Sequence, residues 1–487
     1  MDIVIGYYWN DTMKTFLQSI IDTLHMKKVD YGDVRVVERE DEIIVVKNGI
    51  IEALTHDTNT GFGIRVLKNA AWGFSSSNRI GKQEAEQVTQ DALRIAAASA
   101  KVKSQGVQLS ALEAQNGTYK TEVTVNPMTY SLEDKIDLLM RCDKRMRQNK
   151  RIKVGVGLLR FHSVKTYFAS TEHSFINQHK VFSGARILVH AMEQGELQSR
   201  SYGNHRQAGY EFITELDLLD NASRIHDEAL MLLKAKPCPK RKTTVVLDAE
   251  QMVLQTHESC GHPTELDRVL GTEASYAGTS FLTIDKLNKL QYGSEIVTIV
   301  ADAQTPGGLG TFGWDDEGVP AQKMYLVKDG MFVGYLSSRE TAPIINGVSS
   351  GAMRADGWNR IPLIRMTNIN LVPGSWEFND MITDTKDGLF LTTNKSWSID
   401  DKRLNFQFGC ELARQIKNGK LGEVYKNPTY TGITPQFWRS CDALGNSASW
   451  QLFGTPNCGK GEPGQTAFVG HGTVPARFRS VQVGISG

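Results

Sequence analysis

The spacing of apolar residues predicts strands and hairpins in the first half of the chain. Between residues 33 and 77, short runs that alternate apolar and polar residues are separated by turn formers, which is typical of half-buried strands. One run ends at Asn48-Gly49, a dipeptide that favours a tight hairpin turn. Several more strand-like runs follow one another between residues 153 and 202. We therefore expect a long meandering sheet in this half.

Three segments carry apolar residues at helical spacing and have recognisable start or end signals. Ser131, followed by two acidic residues, is expected to cap the second helix at its N-terminus, and Pro237 ends the third. The predicted helices run from Lys82 to Lys101, from Leu132 to Arg147 and from Asp217 to Lys236.

A stretch that combines proline with basic residues, from Pro237 to Lys242, predicts an exposed linker between two domains. Just beyond it, residues 243–248 predict a strand that leads directly into a helix starting at Ala249. The predicted fold class is α+β. We expect an N-terminal α/β domain at 1–236, with a mixed sheet and long helices, and a strand-rich C-terminal domain at 237–487 that carries the Ala249 helix.

Composition narrows the class of protein. The 487 residues include 55 basic and 54 acidic ones, for a net charge of +1, so no overall field attracts nucleic acid or a membrane surface. Six cysteines at irregular spacing do not form a disulfide framework. The start of the chain, Met1 to Gly6, lacks the basic region of a signal peptide, and no apolar run reaches membrane-spanning length. These features predict a cytoplasmic protein that contacts neither nucleic acid nor membranes.

The strongest chemical signal is the segment His257-Glu258-Ser259-Cys260-Gly261-His262. Two imidazoles can hold a zinc ion, and a neighbouring carboxylate such as Glu258 can act as the base. Five positions correspond to about 140° around a regular helix, so the two histidines cannot face one metal from it. We expect either a single π-type turn or the end of the helix between them. Pro263 favours such a break, because the residue before proline is disfavoured in the α region.

Cys458 is the best candidate for a third ligand. It lies in a segment dense in glycine and proline, which predicts a mobile loop rather than a buried element. Two histidines and one cysteine would leave the fourth tetrahedral position open for water, as a catalytic zinc requires. Cys260 is the rival sulfur ligand, although packing as a small apolar residue is its favoured interpretation. Without a third ligand, the segment would be a helix with two ordinary histidines.

Other clusters give weaker signals. The glycine-rich segment from Pro306 to Gly313 lacks the rest of a phosphate loop and predicts a flexible loop or the wall of a substrate groove. The acidic run from Asp315 to Glu317 is interpreted as a solvated turn, with a metal or peptide amine as the alternative. His471 is interpreted as a surface histidine, or alternatively as a group near the cysteine. Glu273 and Tyr276 are further candidates for stabilising a developing oxyanion.

The histidine segment, the later Asn-Cys-Gly-Lys sequence and several stretches between and before them resemble the TldD branch of the TldD/PmbA metalloprotease family. The likeness extends from about Tyr31 to the C-terminus. The accompanying stretches are Val45 to Gly49, Gly61 to Val66, Ala71 to Phe74, Trp314 to Pro320, Lys328 to Gly330 and Arg365 to Gly374.

The resemblance implies a zinc peptidase that acts on unstructured or extended peptides, including antitoxins and leader segments of modified peptide antibiotics. The implied ligands are His257, His262 and Cys458, and the implied general base is Glu258. It also implies a cavity for the peptide and a dimer formed by the N-terminal domain. The partner is either a second copy or a TldE (PmbA)-like subunit that lacks the motif.

Two alternatives remain open at this stage. A non-hydrolytic, zinc-stabilised peptide-binding or chaperone-like subunit would need the histidines but not Glu258. The second alternative is a modulator of DNA topology enzymes, and the neutral net charge gives it no direct support.

Overall fold

The computed structural model describes residues 11–103 and 105–484. This part of the chain is 25% helical and 43% strand, which confirms the predicted α+β class. The expectation about the segment from Met1 to Gly6 lies outside the described residues. None of the described helices is both long and apolar enough to cross a membrane.

The N-terminal region is built on one large sheet. Its strands are β1 (Tyr31–Lys47), β2 (Ile50–Lys68), β3 (Ala71–Ser77), β4 (Asn116–Lys120), β5 (Ile152–Ser170), β6 (Phe175–Glu193) and β7 (Glu196–Arg206). The order across the sheet is β3-β2-β1-β5-β6, and the far edge of β6 pairs with β4 in parallel and with β7 antiparallel. Its helices are α1 (Asp11–Met26), α2 (Lys82–Val102), α3 (Leu132–Met146), α4 (Glu211–Glu215) and α5 (Leu218–Lys234).

The local predictions for this region are confirmed. Asn48 and Gly49 both have positive φ, as the tight turn between β1 and β2 requires. All three predicted helices form within two residues of their expected ends. The Ser131 side chain accepts a hydrogen bond from the backbone N–H of Asp134, which is the expected N-terminal cap of α3.

The two faces of the sheet have different partners. The apolar even-numbered residues of β1, such as Val36 and Ile44, are fully buried against the helices. Odd-numbered residues of the same strand, from Arg35 to Ile43, line a cavity on the opposite face. Because side chains alternate along a strand, the sequence gives this sheet one apolar face and one charged face.

The C-terminal region contains a closed barrel. Strands β9 (Arg241–Leu247), β16 (Asp387–Ile399), β17 (Asn405–Lys417), β19 (Thr429–Ile433) and β23 (Ala476–Val483) form a ring, because β16 pairs with both β9 and β17. Apolar side chains of these strands, including Leu389, Phe408 and Phe478, fill the barrel.

Shorter elements surround the barrel. The strands are β8 (Lys236–Pro237), β10 (Ile299–Asp302), β11 (Lys323–Lys328), β12 (Met331–Phe332), β13 (Met353–Arg354), β14 (Leu363–Ile364), β15 (Ile369–Leu371), β18 (Lys420–Lys426), β20 (Cys441–Leu444), β21 (Gln451–Lys460) and β22 (Gln465–Thr473). The helices are α6 (Ala249–Thr256), α7 (Leu266–Val269), α8 (Phe378–Thr383) and α9 (Thr434–Arg439).

Buried ion pairs join the N-terminal sheet to the C-terminal region. Arg200 on β7 lies 2.8 Å from Glu411 on β17, and the Ser201 hydroxyl donates to the same carboxylate. Arg65 on β2 lies 3.2 Å from Glu317. A buried charge left without its partner is costly, so these pairs hold the two regions in one orientation.

Candidate metal centre

Helix α6 and the turns after it carry both histidines. Strand β9 of the barrel leads directly into α6, and the Asp248 side chain caps the helix by accepting from the backbone N–H of Gln251. Residues 257–261 form a single π-type turn, in which the N–H of His262 bonds to the carbonyl of His257. This wider turn brings the two imidazoles to one side, with ring centroids 4.9 Å apart. Of the two arrangements that the five-residue spacing predicted, the structure has the π-type turn and not the end of the helix between the histidines.

The predicted effect of Pro263 is wrong. His262, the residue before it, keeps α-region dihedral angles of φ −58° and ψ −44°. Pro263 lies instead in the first turn of a short 3₁₀ segment, where its missing N–H is not needed. The chain leaves the helical direction only at Glu265. The Thr264 hydroxyl contacts the carbonyls of Cys260 and Gly261, so the turn is satisfied without a proline N–H.

Cys458 lies on a strand, and the prediction of a mobile loop is wrong. The residue belongs to β21, where it is opposite Ala467 of β22, and its side chain is only 3% exposed. The register shifts between Thr455 and Cys458, so Pro456 lies in a bulge where it need not donate a ladder hydrogen bond. The bulge and the pairing with β22 bury a segment whose composition indicated exposure.

The three predicted ligand atoms converge in the interior. The Cys458 Sγ lies 3.5 Å from the His257 Nε2 and 3.6 Å from the His262 Nε2. All three ligand atoms lie within 4.8 Å of one another, and all three side chains are buried. Zinc bonds of usual length at a tetrahedral angle would place sulfur and nitrogen about 3.6 Å apart. The donor set and its spacing therefore fit a zinc ion.

Each histidine is held through its other ring nitrogen. The Nδ1 of His257 lies 2.8 Å from the Nε2 of His471, and the Nδ1 of His262 lies 2.9 Å from the Glu265 carboxylate. Burial and the neighbouring His257 hold the pKa of His471 well below its usual range, so its ring is neutral. Because the Nδ1 of His471 faces the carbonyl of Ile369, its Nε2 accepts from His257. The Nε2 of His257 is left with a lone pair for a metal.

The favoured interpretation of His471 as a surface residue is therefore wrong, since its side chain is 0% exposed. The alternative, a group near the cysteine, matches its position. Glu265 was missed by sequence reasoning, although its position three residues after His262 is a usable signal. Its carboxylate also lies 3.4 Å from the buried ammonium of Lys460.

The candidate ligands carry complementary charge. Burial raises the pKa of the Cys458 thiol, but the imidazoles of His257 and His262 outweigh this effect and hold the pKa well below its usual range. Burial lowers the pKa of His262, but the Cys458 thiolate and the Glu265 carboxylate raise it to about 9. The sulfur is thus in its metal-binding, thiolate form.

Glu258 lies beside the ligands in one cavity of about 610 Å³, which we call the metal cavity. Its walls include His257, His262, Cys458 and Arg403. Burial raises the pKa of Glu258, but the two imidazoles and Arg403 outweigh it and lower the pKa, so the carboxylate is ionised.

Arg403 is a site residue that no sequence motif indicated. An Nη1 of its guanidinium contacts the Glu258 carboxylate. Its backbone is left-handed, with φ of 61°, in the turn between β16 and β17. Such conformations persist only when surrounding contacts enforce them, and here the carbonyl of Arg403 accepts from the Thr434 hydroxyl.

The remaining candidates lie elsewhere. Cys260 is fully buried in the core, as its favoured interpretation predicted. Glu273 is buried beside Arg268, 2.9 Å away, and Tyr276 is exposed. Neither residue is among those that line the metal cavity.

The prediction of a solvated acidic turn at Asp315 to Glu317 is wrong. Asp315 and Glu317 are 3% and 2% exposed, and Asp315 accepts hydrogen bonds from three backbone N–H groups. The glycine-rich segment before them packs against Thr367 and Asn368: a Cβ on Gly310 would collide with Thr367, and a Cβ on Gly308 would collide with Asn368. Its last part, at Phe312, lines a cavity, in line with the predicted wall of a groove.

Family models match most of the chain. The "PmbA/TldA metallopeptidase domain 1" matches residues 32–99, the "PmbA/TldA metallopeptidase central domain" matches residues 126–236, and the "PmbA/TldA metallopeptidase C-terminal domain" matches residues 240–484.

Curated relatives are similar over nearly their full length. A metalloprotease of Methanocaldococcus jannaschii is 33% identical over 91% of this chain and 94% of its own. A metalloprotease TldD homolog of Buchnera aphidicola is 26% identical over 96% of this chain and 95% of its own. A zinc metalloprotease TldD homolog of Saccharolobus solfataricus is 22% identical over 88% of this chain and 91% of its own.

Solved structures share the fold. A Thermotoga maritima protein described as a modulator of DNA gyrase superposes with a TM-score of 0.78 at 17% identity, over 97% of this chain and 100% of that one. TldE from Thermococcus kodakarensis superposes with a TM-score of 0.74 at 14% identity, over 97% and 100%.

Proposed function

Because this chain belongs to the PmbA/TldD family of metallopeptidases, we propose that it is a zinc-dependent peptidase of the TldD branch that hydrolyses unstructured or extended peptides. The observation that carries the proposal is the convergence of His257, His262 and Cys458 at metal-binding spacing in one cavity with the Glu258 carboxylate. The presence of all four residues favours the catalytic branch over a TldE-like subunit that lacks the motif.

The mechanism assigns a separate task to each residue. A zinc ion held by His257, His262 and Cys458 would supply a Lewis acid for water and the peptide carbonyl. The Glu258 carboxylate accepts a proton from the attacking water and delivers it to the leaving amine. Arg403, in contact with Glu258, keeps that carboxylate ionised before the peptide enters.

The walls of the metal cavity favour an extended substrate. The cavity is bounded by the N-terminal sheet on one side and by β21 and the barrel on the other. Among the described residues, β21 pairs as a strand only with β22. On its other edge the Asn204 side chain bonds to the Leu452 carbonyl and the Gly454 N–H, so an extended peptide would pair with the part of that edge beyond Gly454. Backbone pairing accepts many sequences, whereas a cavity of this volume excludes folded domains.

The assembly and compartment are also proposals. A second copy or a TldE-like subunit is the partner we propose, because TldE itself has this fold. The thiols of the six cysteines are free, which suits a reducing cytoplasm and a cysteine available for metal.

The experiment that tests the function is a digest of an unstructured peptide by purified, zinc-loaded protein. We expect cleavage that stops with a zinc chelator and returns when zinc is added. E258Q should keep its zinc and its fold but lose cleavage, whereas a non-hydrolytic peptide-binding subunit would be unaffected by the substitution. Cleavage that persists in E258Q at the wild-type rate would contradict the proposal.

A further inference from the structure

A second cavity adjoins the metal cavity. It has a volume of about 440 Å³, and the two cavities share Arg160, Pro456 and Asn457 in their walls. Its floor is the charged face of the N-terminal sheet, and its roof includes Arg354 and Phe468 from the C-terminal region. Since Asn457 directly precedes Cys458, a peptide in the metal cavity can extend into this adjoining cavity.

Lys180 and Arg354 face each other across the adjoining cavity. Lys180 lies on β6, opposite Val164 of β5, and Phe182 follows it on the same face. The ring centroid of Phe182 lies 4.9 Å from that of Phe468, whose carbonyl accepts a hydrogen bond from Arg354. The floor lysine and the roof arginine thus lie on either side of one aromatic contact.

The acidic residues of this cavity are already engaged. One of them, Asp57, is exposed at the rim. The others are held by arginines, by a histidine or by backbone N–H groups: Asp41 by Arg39 and His162, Asp316 by Arg35 and the Ala355 N–H, Asp356 by Arg39 and the Thr466 N–H, and Asp315 by three backbone N–H groups.

Arg35 and Arg39 are paired with these acidic residues, but three other cations among the described residues of the cavity form no ion pair. Among the described residues, the Lys180 ammonium makes no hydrogen bond or ion pair, and Arg354 donates only to the carbonyls of Met366 and Phe468. The Nε of Arg160, at the junction of the two cavities, is buried without a partner. Burial lowers the pKa of Lys180 to about 8 and that of Arg354 to about 10. The nearby Asp316 attracts both cations but is already held by Arg35 and does not offset the burial, so a further anionic ligand is favoured.

We propose that Lys180 and Arg354 form a subsite for a carboxylate of the substrate peptide. The carboxylate is either an aspartate or glutamate side chain near the cleaved bond or the free C-terminus of the peptide. Guanidinium and ammonium groups form strong charge-assisted hydrogen bonds with carboxylates. This inference rests on the proposed peptidase function, and it adds a preference that backbone pairing alone would not give.

The test measures the binding of unstructured peptides to zinc-loaded E258Q protein. One series carries a single glutamate moved along a neutral sequence, and each member has a glutamine twin. A further pair of neutral peptides differs only in a free or an amidated C-terminus. We expect about tenfold tighter binding of the carboxylate peptide in one of the two comparisons. Tighter binding in the glutamate series would identify a side-chain carboxylate as the ligand, and tighter binding in the C-terminal pair would identify the free C-terminus.

Variants at Lys180 locate the effect. In K180M the ratio of the dissociation constants of the glutamine and glutamate peptides should fall close to one. K180R should retain the preference for the glutamate peptide. K165M is the matched control, because Lys165 is exposed on the neighbouring strand and is not among the residues that line this cavity; it should leave the ratio unchanged. If K180M does not fold, the ratio in the parent protein should still fall as salt is raised.

Equal binding of both twins at every position, and of both C-terminal forms, would overturn the subsite while leaving the peptidase function intact. A wild-type protein that cuts none of the neutral peptides would instead contradict the proposed function, and the subsite would fall with it.

Discussion

The metal cavity and the adjoining cavity share a wall, but they differ in whether their charged side chains have bonded partners. In the metal cavity, His257 and His262 are each fixed through their second nitrogen, and the Glu258 carboxylate is held by Arg403. In the adjoining cavity, Lys180 and Arg354 form no ion pair among the described residues, although the nearby Asp316 attracts both. Side chains that are already fixed by hydrogen bonds are suited to hold an ion. Cations that have no ion pair are suited to bind an anionic part of a substrate.

The largest expected effect concerns the base in the metal cavity. E258Q should lower peptide cleavage by roughly 10²–10⁴-fold, because proton transfer is lost while the ligands are untouched. Cleavage rates and zinc content per chain measure the two consequences separately. Loss of zinc together with activity would show that Glu258 is needed for zinc binding rather than for proton transfer.

The second effect tests whether fixed ligands matter for metal affinity. E265Q removes the carboxylate that orients His262, and we expect zinc to bind roughly 10–100-fold more weakly. Competition against a coloured chelator measures the affinity. E273Q is the matched control, because Glu273 is buried nearby but bonds to Arg268 rather than to a ligand. Equal weakening by both substitutions would show that burial of charge, not orientation of His262, sets the affinity.

The third effect tests the unmatched charge of the adjoining cavity. The pKa of Lys180 is lowered to about 8 by burial, so at neutral pH the folded state holds an ammonium that the unfolded state solvates better. K180M should therefore raise the free energy of unfolding at pH 7 by about 1–3 kcal/mol.

The sign of the pH dependence follows from the same shift. Below pH 8 both states are protonated and the penalty is complete; between pH 8 and the ordinary lysine pKa of about 10.4 it declines, and above that it is gone. Denaturant unfolding of wild type and K180M across this range measures the difference. A constant difference across the range would mean that the substitution acts through packing.

The smallest effect concerns the contact between Arg403 and Glu258. Arg403 is one of the groups that lower the pKa of Glu258, so R403M should raise it. The acidic limb of the pH profile of kcat/KM should then move to higher pH, by about one unit or less. R439M, which changes an arginine whose Nε bonds to its own helix, should leave the limb in place.

Features that depend on local chain geometry could be predicted from the sequence. The five-residue spacing of His257 and His262 predicted either an underwound turn or the end of the helix between them, and the structure contains the underwound turn. Asn48-Gly49 specified a hairpin because it tolerates positive φ. The strand that leads into the helix at Ala249 was also predicted correctly, since it followed from a short apolar run.

Features that depend on contacts between residues far apart in the chain could not be predicted from the sequence. The glycine and proline around Cys458 indicated a loop, but pairing with β22 and a bulge make it part of a buried strand. His471 became a buried partner of His257 through the same pairing. Arg403 reaches Glu258 only because the barrel closes, and no spacing in the sequence indicates that contact.

The central claim is that His257, His262 and Cys458 bind one zinc ion, and X-ray absorption at the zinc edge tests it most directly. We predict about one zinc per chain, with one sulfur neighbour at about 2.3 Å and nitrogen or oxygen neighbours at about 2.0 Å. The sulfur contribution should disappear in C458S. A wild-type spectrum without sulfur, or a protein that does not retain zinc, would contradict the account.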